Sequence, residues 1–320
     1  MTDRQWQPSA NKDRLIARAK LLKETREFFL QRGVLEVETP IMSQATGTDP
    51  NLEPITVNYL AGKQTQQFFL QTSPEFAMKR LLASGSGAIF QICKSFRNDE
   101  SGGRHNPEFS MLEWYRPGFD EYQLMDEVMA LVDHLCPQEN WQRLSYQQLF
   151  EQFLDINPHA LSSVELSQFA RRSIAVDFPG ANKDTWLDLL FSHLIEPQLQ
   201  SPVFIYDYPG SQAALAKVEK NDEGHQIARR FELVIRGMEI ANGYFELTDP
   251  AEQQRRFLHD QQIRRKQQKG NYPLDENLLA ALNAGLPDCS GVALGLDRLL
   301  MLVSGAASID EVLSFPMGRA

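Results

Sequence analysis

The chain has 320 residues, 42% of them hydrophobic and 10% aromatic, enough for one large domain or two ordinary ones around a sizeable core. With 42 acidic against 32 basic side chains the formal net charge is −10, whereas a protein whose main surface binds nucleic acid usually carries a basic excess. No run approaches the ~18 uncharged apolar residues of a membrane span, and Cys93, Cys136 and Cys289 are too widely spaced for a disulfide framework or a zinc site, which predicts a cytoplasmic protein.

The first residues, MTDRQWQPSANKDR, carry no apolar core or cleavage-type segment, so secretion is not expected. Residues 13–32 place Leu15, Ala19, Leu22 and Phe29 on or near one face, an amphipathic helix stopped by Gly33. VLEVETP (34–40) alternates like a strand and ends at Pro40. FFLQTSPEFAMKRLL (68–82) reads as a strand running into a helix, with Ser73 as N-cap and Pro74 at the first helical position. AIFQICKSFR (88–97) and FSMLEWYR (109–116) make an antiparallel hairpin around a glycine- and charge-rich loop. From about 120 to 200 the pattern is helical. Strands return at VFIYDYP, RFELVIR and MEIANGYFEL, followed by a polar helix from about 250. In that helix RRKQQK (264–269) is either a local basic patch or a solvated face. GVALGLDRLLMLVSG (291–305) closes the chain as a strand and a helix. Strands at both ends around a helical middle predict an α+β fold with a mainly antiparallel sheet.

Four pieces carry chemistry. In the hairpin, Arg97 ends one strand and offers a planar guanidinium to a carboxylate or phosphate. Phe109 begins the return strand and can stack on a base. His105 and Asn106 can reach phosphate or ribose oxygens. The alternative is a surface hairpin with solvated charges. In GVALGLDR (291–298) closely spaced glycines let a ligand approach the backbone, and Arg298 follows at a helix start; a tight strand-to-helix junction is the other reading. Neither a dinucleotide fingerprint nor a Walker loop is present. In FELVIRGMEIANGYFE, Glu232 and Glu239 flank a turn, and adjacent carboxylates repel unless a cation such as Mg²⁺ lies between them. Asn242 and Glu246 share a strand face further on. Glu75 stands in a first helical turn, where a carboxylate is often only a dipole partner.

Together these pieces resemble the class II aminoacyl-tRNA synthetases of the lysyl type, over nearly the whole chain. GVLEVETPIM resembles their first motif, FRNDE…RHNPEFSMLEWY their second and GVALGLDR their third. The resemblance implies an antiparallel sheet flanked by helices, one catalytic domain over 1–320 with a mainly helical segment at about 120–200, and a homodimer with Pro40 at its interface. It implies ATP and Mg²⁺. Arg97 would contact the α-phosphate and the substrate carboxylate, Phe109 would stack on adenine, and Arg298 would hold the γ-phosphate side. Asn98, Asp99, His105, Asn106, Ile240 and Gly295 would complete the nucleotide site, and Glu232 and Glu239 would hold the metal. The amino groups of a lysine-like substrate would meet Glu75, Glu113, Tyr115, Asn242 and Glu246, with Ser73, Pro74 and Ala293 shaping the pocket.

Two departures from the family pattern narrow the expectation. The first motif begins near residue 12, leaving no room for the anticodon-binding barrel of lysyl-tRNA synthetases. Ala293 replaces the middle glycine of the third motif, and Asp99 stands where the family usually has Glu, with Glu100 next. The first two features are similar to truncated paralogues that attach (R)-β-lysine to a lysine of elongation factor P, and WQPSA and PDCSGVALG strengthen the match. The implied activity is therefore an ATP-dependent ligase with a protein acceptor. A synthetase fragment reading only a tRNA acceptor stem, and an inactive regulatory paralogue, are the alternatives; the acidic balance counts against the first, and retention of Arg97, Glu232, Glu239 and Arg298 against the second.

Overall fold

The computed structural model describes residues 6–98, 100–174, 178 and 180–320. Its strands are β1 (Leu35–Glu36), β2 (Met42–Ser43), β3 (Thr56–Ala61), β4 (Gln64–Leu70), β5 (Ile89–Phe96), β6 (Glu108–Pro117), β7 (Gln142–Ser145), β8 (Val203–Pro209), β9 (Val218–Lys220), β10 (Gln226–Val234), β11 (Glu239–Phe245) and β12 (Cys289–Gly295). Its α-helices are α1 (Lys12–Leu30), α2 (Glu75–Ala83), α3 (Glu121–Leu135), α4 (Tyr146–Leu154), α5 (Ser163–Ile174), α6 (Lys183–Leu190), α7 (Pro250–Lys266), α8 (Glu276–Gly285) and α9 (Leu296–Ser304). Among the described residues no helix is long and apolar enough to cross a membrane.

The main sheet runs β1-β5-β6-β12-β11-β10-β8-β7, with β9 added on β10. Its pairs are antiparallel except β1 with β5 and β7 with β8. The α+β fold expected from the sequence is the one found. A period of two divides the central strands between two faces. Leu112, Trp114, Val292, Leu294, Phe231, Leu233 and Ala241 enter a core that also takes Phe28 and Phe29 of α1, Leu124 and Val128 of α3, and Leu299 and Leu300 of α9. The opposite face is left as the floor of a cavity. A small three-stranded sheet, β2-β4-β3, stands beside it. The inserted helices α4, α5 and α6 bury a second apolar cluster with Val203, Ile205 and Val234.

Several local expectations shift. The strand expected over 34–40 is only the two residues of β1, paired with β5. The helical middle also contains β7, a strand that leads straight into the Ser145–Gln148 capping box of α4. Pro74, rather than Ser73, occupies the cap position of α2, and it makes no side-chain cap bond. Ser73 Oγ still accepts from the Glu75 N–H at 3.0 Å. In RRKQQK, Arg264 is neither patch nor solvated face. It is fully buried, donating to the carbonyls of Gly270, Asp49 and Leu52 and pairing with Glu53.

Candidate active site

The floor is a cross-strand ladder. In register, Gln91 of β5 faces Glu113 of β6, Glu113 faces Ala293 of β12, Ala293 faces Asn242 of β11, and Asn242 faces Glu232 of β10. Two residues along, Tyr115, Gly291, Tyr244 and Arg230 form the next row. Small residues at 291, 293 and 295 keep the middle of the floor low. Only Gly291 is compelled by packing: a Cβ there would lie 2.2 Å from the Tyr115 ring and 2.6 Å from Glu246 Oε1. A Cβ on Gly295 would meet nothing closer than Arg298 at 3.7 Å. The cavity above holds about 1660 Å³.

Strict alternation would put Glu239, an odd step from Asn242, on the core face. The structure resolves this with a bulge. Leu233 pairs with Ala241 but Val234 pairs with Glu239, so Ile240 is an extra residue on β11. The two-residue turn at Arg236 and Gly237, both at positive φ, closes the hairpin. Glu232 and Glu239 consequently both face the cavity. Arg230, which the sequence reading did not single out, pairs with Glu232 and donates to Asn242 Oδ1 at 3.2 Å. Asn242 Nδ2 donates to Glu232 at 3.2 Å. Burial pushes the Glu232 pKa up to about 7; Arg230 opposes this and Glu239 adds to it.

At one end of the cavity the hairpin β5–β6 places Arg97 over the Phe109 ring, 5.1 Å from its centroid. Arg97 Nη1 lies 3.3 Å from Glu100, while its buried Nε has no partner among the described residues. Arg298 Nη1 donates to the Glu239 carbonyl at 2.8 Å and lies 3.4 Å from its carboxylate. Its Nη2 lies 2.7 Å from His105 Nε2, which must then be the accepting nitrogen of a neutral ring. Burial and the Arg298 charge both lower the His105 pKa. Arg104 ties the same loop to the Gly237 carbonyl. Buried Asp297, next to Arg298, accepts from the Ser110 N–H at 2.6 Å and pairs with Arg18 of α1.

At the other end three carboxylates converge. Glu113 Oε1 accepts from the Tyr115 hydroxyl at 2.6 Å and Oε2 from Ser73 at 2.7 Å. Burial, reinforced by the Glu75 charge, drives the Glu113 pKa up to about 8 despite those hydrogen bonds. Glu246 is 1% exposed, and burial raises its pKa to about 7 against the pull of Lys79. Glu75 and Glu246 both reach Lys79. Glu75 is therefore more than a dipole partner.

Of the other expected residues, Pro74, Ile240, Ala293 and Gly295 line the cavity. Asn106 also borders it, but its amide is turned into the scaffold, donating to the Glu108 carbonyl at 2.6 Å and accepting from the Met317 N–H at 3.0 Å. Asn98 is exposed, does not line the cavity, and donates its backbone N–H to Glu53. Asp99 lies outside the described residues. Lys79, Arg104 and Arg230 escaped the sequence reading. The only signal for Lys79 was its i,i+4 spacing from Glu75.

The residues fit a magnesium–nucleotide complex. Glu239 keeps a half-exposed carboxylate beside Arg298, and Glu232, held by Arg230, adds a second carboxylate on the same wall. Among the described residues no group of three or more His, Cys, Asp or Glu could hold a metal alone, which leaves coordination positions for phosphate and water oxygens.

A family model for class II tRNA synthetases (D, K and N) matches residues 4–319. Among curated proteins, the elongation factor P–(R)-β-lysine ligases of Salmonella dublin, Salmonella heidelberg (strain SL476) and Salmonella enteritidis PT4 are each 48% identical over 321 residues. Each alignment covers 98% of this chain and 98% of the relative.

Proposed function

We propose, from the premise that the chain belongs to the class II tRNA synthetases (D, K and N), that it is a ligase joining (R)-β-lysine to elongation factor P at the expense of ATP. The observation that carries the reading is one cavity with an arginine–phenylalanine pair and Arg298 at one end and three carboxylates at the other. The first suits a nucleotide triphosphate, and the second suits an amino acid with two ammonium groups.

ATP enters with adenine on Phe109 and its phosphates between Arg97 and Arg298. Glu232 and Glu239 would hold Mg²⁺, which would supply charge neutralisation at the phosphates. The amino acid lies over Ala293, its ammonium groups toward Glu75, Glu113 and Glu246, and its carboxylate toward Arg97. The carboxylate oxygen attacks the α-phosphorus, the bond to the β-phosphate oxygen breaks, and pyrophosphate leaves with the electron pair. The acceptor's neutral ε-amine then attacks the acyl carbon. AMP departs, the amine loses a proton to solvent, and an amide remains. No enzyme atom is acylated. Positioning and fixed positive charge do the work, because the cavity holds both reactants side by side and Arg97 meets the charge that develops between them.

The enzyme acts as a homodimer. Leu30, Leu35, Ile41 and Met42, at 75%, 57%, 43% and 39% exposure, give α1, β1 and β2 an apolar rim for a second copy. Elongation factor P fits the acceptor role better than tRNA because a surface of net charge −10 repels a polyanion.

The test is intact-mass analysis after incubation with ATP, Mg²⁺ and (R)-β-lysine, offering elongation factor P and total tRNA in separate reactions. A gain of one lysyl residue on the protein is expected. Stable acylation of tRNA with none of the protein would overturn the reading.

A further inference from the structure

Lys79 is a buried cation to which the reaction above gives no task. Its side chain is 2% exposed, and its Nζ lies 2.6 Å from Glu75 Oε1 and 2.7 Å from Glu246 Oε2. Its helix neighbours Met78 and Leu82 pack with Leu278, Leu279 and Leu282 of α8, which closes that side of the pocket with apolar side chains. A lone ammonium in such a place is costly, so something must favour keeping it. Burial alone would pull its pKa down, but the attraction of Glu246 and Glu75 outweighs that and leaves it raised. Lys79 is therefore charged.

The titratable groups around it form one linked set. Glu75 of α2 and Glu246, just after β11, act on Lys79 directly, and they in turn act on Glu113 and Tyr115 of β6 and on Tyr244 of β11. Cys93 of β5 and Cys289 of β12 complete the set. Burial raises both thiols and both phenols, so these stay neutral near pH 7. Three carboxylates and one ammonium remain. Glu113, pushed up to about 8, is largely protonated near pH 7 in the free pocket, so Glu75 and Glu246 are the carboxylates that Lys79 can hold for a substrate's ammonium groups.

We propose, resting on the amino-acid site assigned above, that Lys79 is a positioning residue whose ammonium clamps Glu75 against Glu246 and holds both carboxylates toward the substrate, so that the pocket selects amino acids bearing two ammonium groups. Lys79 never touches substrate in this role. It acts by orienting both carboxylates and by favouring the ionised form of Glu246. Removing it raises the Glu246 pKa further, since that carboxylate loses the cation that favoured its charged form. Glu246 then becomes largely protonated at neutral pH, Glu75 loses its anchor, and the pocket discriminates less well between a diamino acid and an isostere lacking the side-chain amine.

The experiment compares Lys79→Met with the unsubstituted enzyme in amino-acid-dependent pyrophosphate exchange, using lysine or (R)-β-lysine against norleucine from pH 6 to 9.5. The variant should raise the diamino-acid KM about 10-fold or more and lower its preference over norleucine by a similar factor. The acid limb of kcat/KM should move up by about one unit. Preference should recover toward pH 9.5 as the carboxylates ionise, while the ATP KM stays unchanged. Lys79→Gln, whose amide can donate to both carboxylates, serves where Met does not fold, and should shift the limb in the same direction. An unmoved acid limb and a preference within about twofold of the parent, with the ATP KM intact, would reduce Lys79 to packing and overturn the inference. Absence of diamino-acid-dependent exchange in the unsubstituted enzyme would overturn the functional reading and this inference with it.

Discussion

Glu113 shows how a single side chain couples stability to function. Its folded pKa of about 8 lies above that of an exposed glutamate, because the site buries a carboxyl near Glu75. The protonated form therefore stabilises the free enzyme at low pH, and that contribution is lost as pH rises through about 8. Glu113→Gln imitates the protonated state. Its free form should melt at a higher temperature than the parent at pH 8–9, by up to on the order of 3 kcal/mol, with the gap closing toward pH 4–5. Calorimetry across that range checks it. The same variant should lose most diamino-acid-dependent exchange, a stability–activity trade-off. Ala293 is the neighbouring case, lying in register between Glu113 and Asn242. One methyl in the middle of the floor displaces the substrate backbone, so Ala293→Gly should raise kcat/KM for α-lysine relative to β-lysine about tenfold. An unchanged ratio would make Ala293 a packing choice.

The hairpins show what was legible in the sequence and why. β5 and β6 could be read in advance because AIFQICKSFR and FSMLEWYR are largely apolar runs around a glycine loop; their register, with Ile89 opposite Tyr115, is seen only in the structure. The hairpin carrying Glu232 and Glu239 was legible as a turn, but the bulge at Ile240 was not, since it depends on pairing and leaves no mark in composition. Without it Glu239 would point into the core. Arg230 and Lys79 were hard to see for a related reason: each has one partner close in sequence, Glu232 and Glu75, but the partners that place them in the site, Asn242 on the next strand and Glu246, are brought in by the sheet. Asn106 looked like a nucleotide contact because it sits in the charged loop. The fold instead uses its amide to pin that loop to Met317. Asn106→Ala should therefore raise the ATP KM about fivefold, the worth of one hydrogen bond near 1 kcal/mol, and leave the amino-acid KM unchanged. Steady-state exchange with each substrate varied in turn would separate the two.

At the scale of the molecule, the apolar rim on α1, β1 and β2 makes a quantitative demand. Four large exposed side chains on or beside α1, β1 and β2, with β1 a strand of only two residues, should be covered in solution. Sedimentation velocity should give a dimer at micromolar concentration. Leu35→Glu together with Ile41→Glu should shift it to monomer, because a buried like-charge pair costs more than the contact provides. A parent enzyme that sediments as a monomer would remove the dimer from the functional account.

The position of β12 bears on how the chain is made. It comes last in chain order among the described strands, yet it lies inside the sheet between β6 and β11. Until Cys289–Gly295 leaves the ribosome, β6 and β11 each present an open edge. Trp114 and Phe231 lack the strand that completes their layer. Long-range pairing of this kind is slow and exposes sticky edges meanwhile. A nascent chain stalled with Asp288 just outside the exit tunnel should be cut readily by protease despite carrying most of the protein. The same chain lengthened to expose Ser304 should become resistant. Synthesis therefore keeps the sheet waiting on Cys289–Gly295, and chaperones have their longest claim on it until that strand emerges.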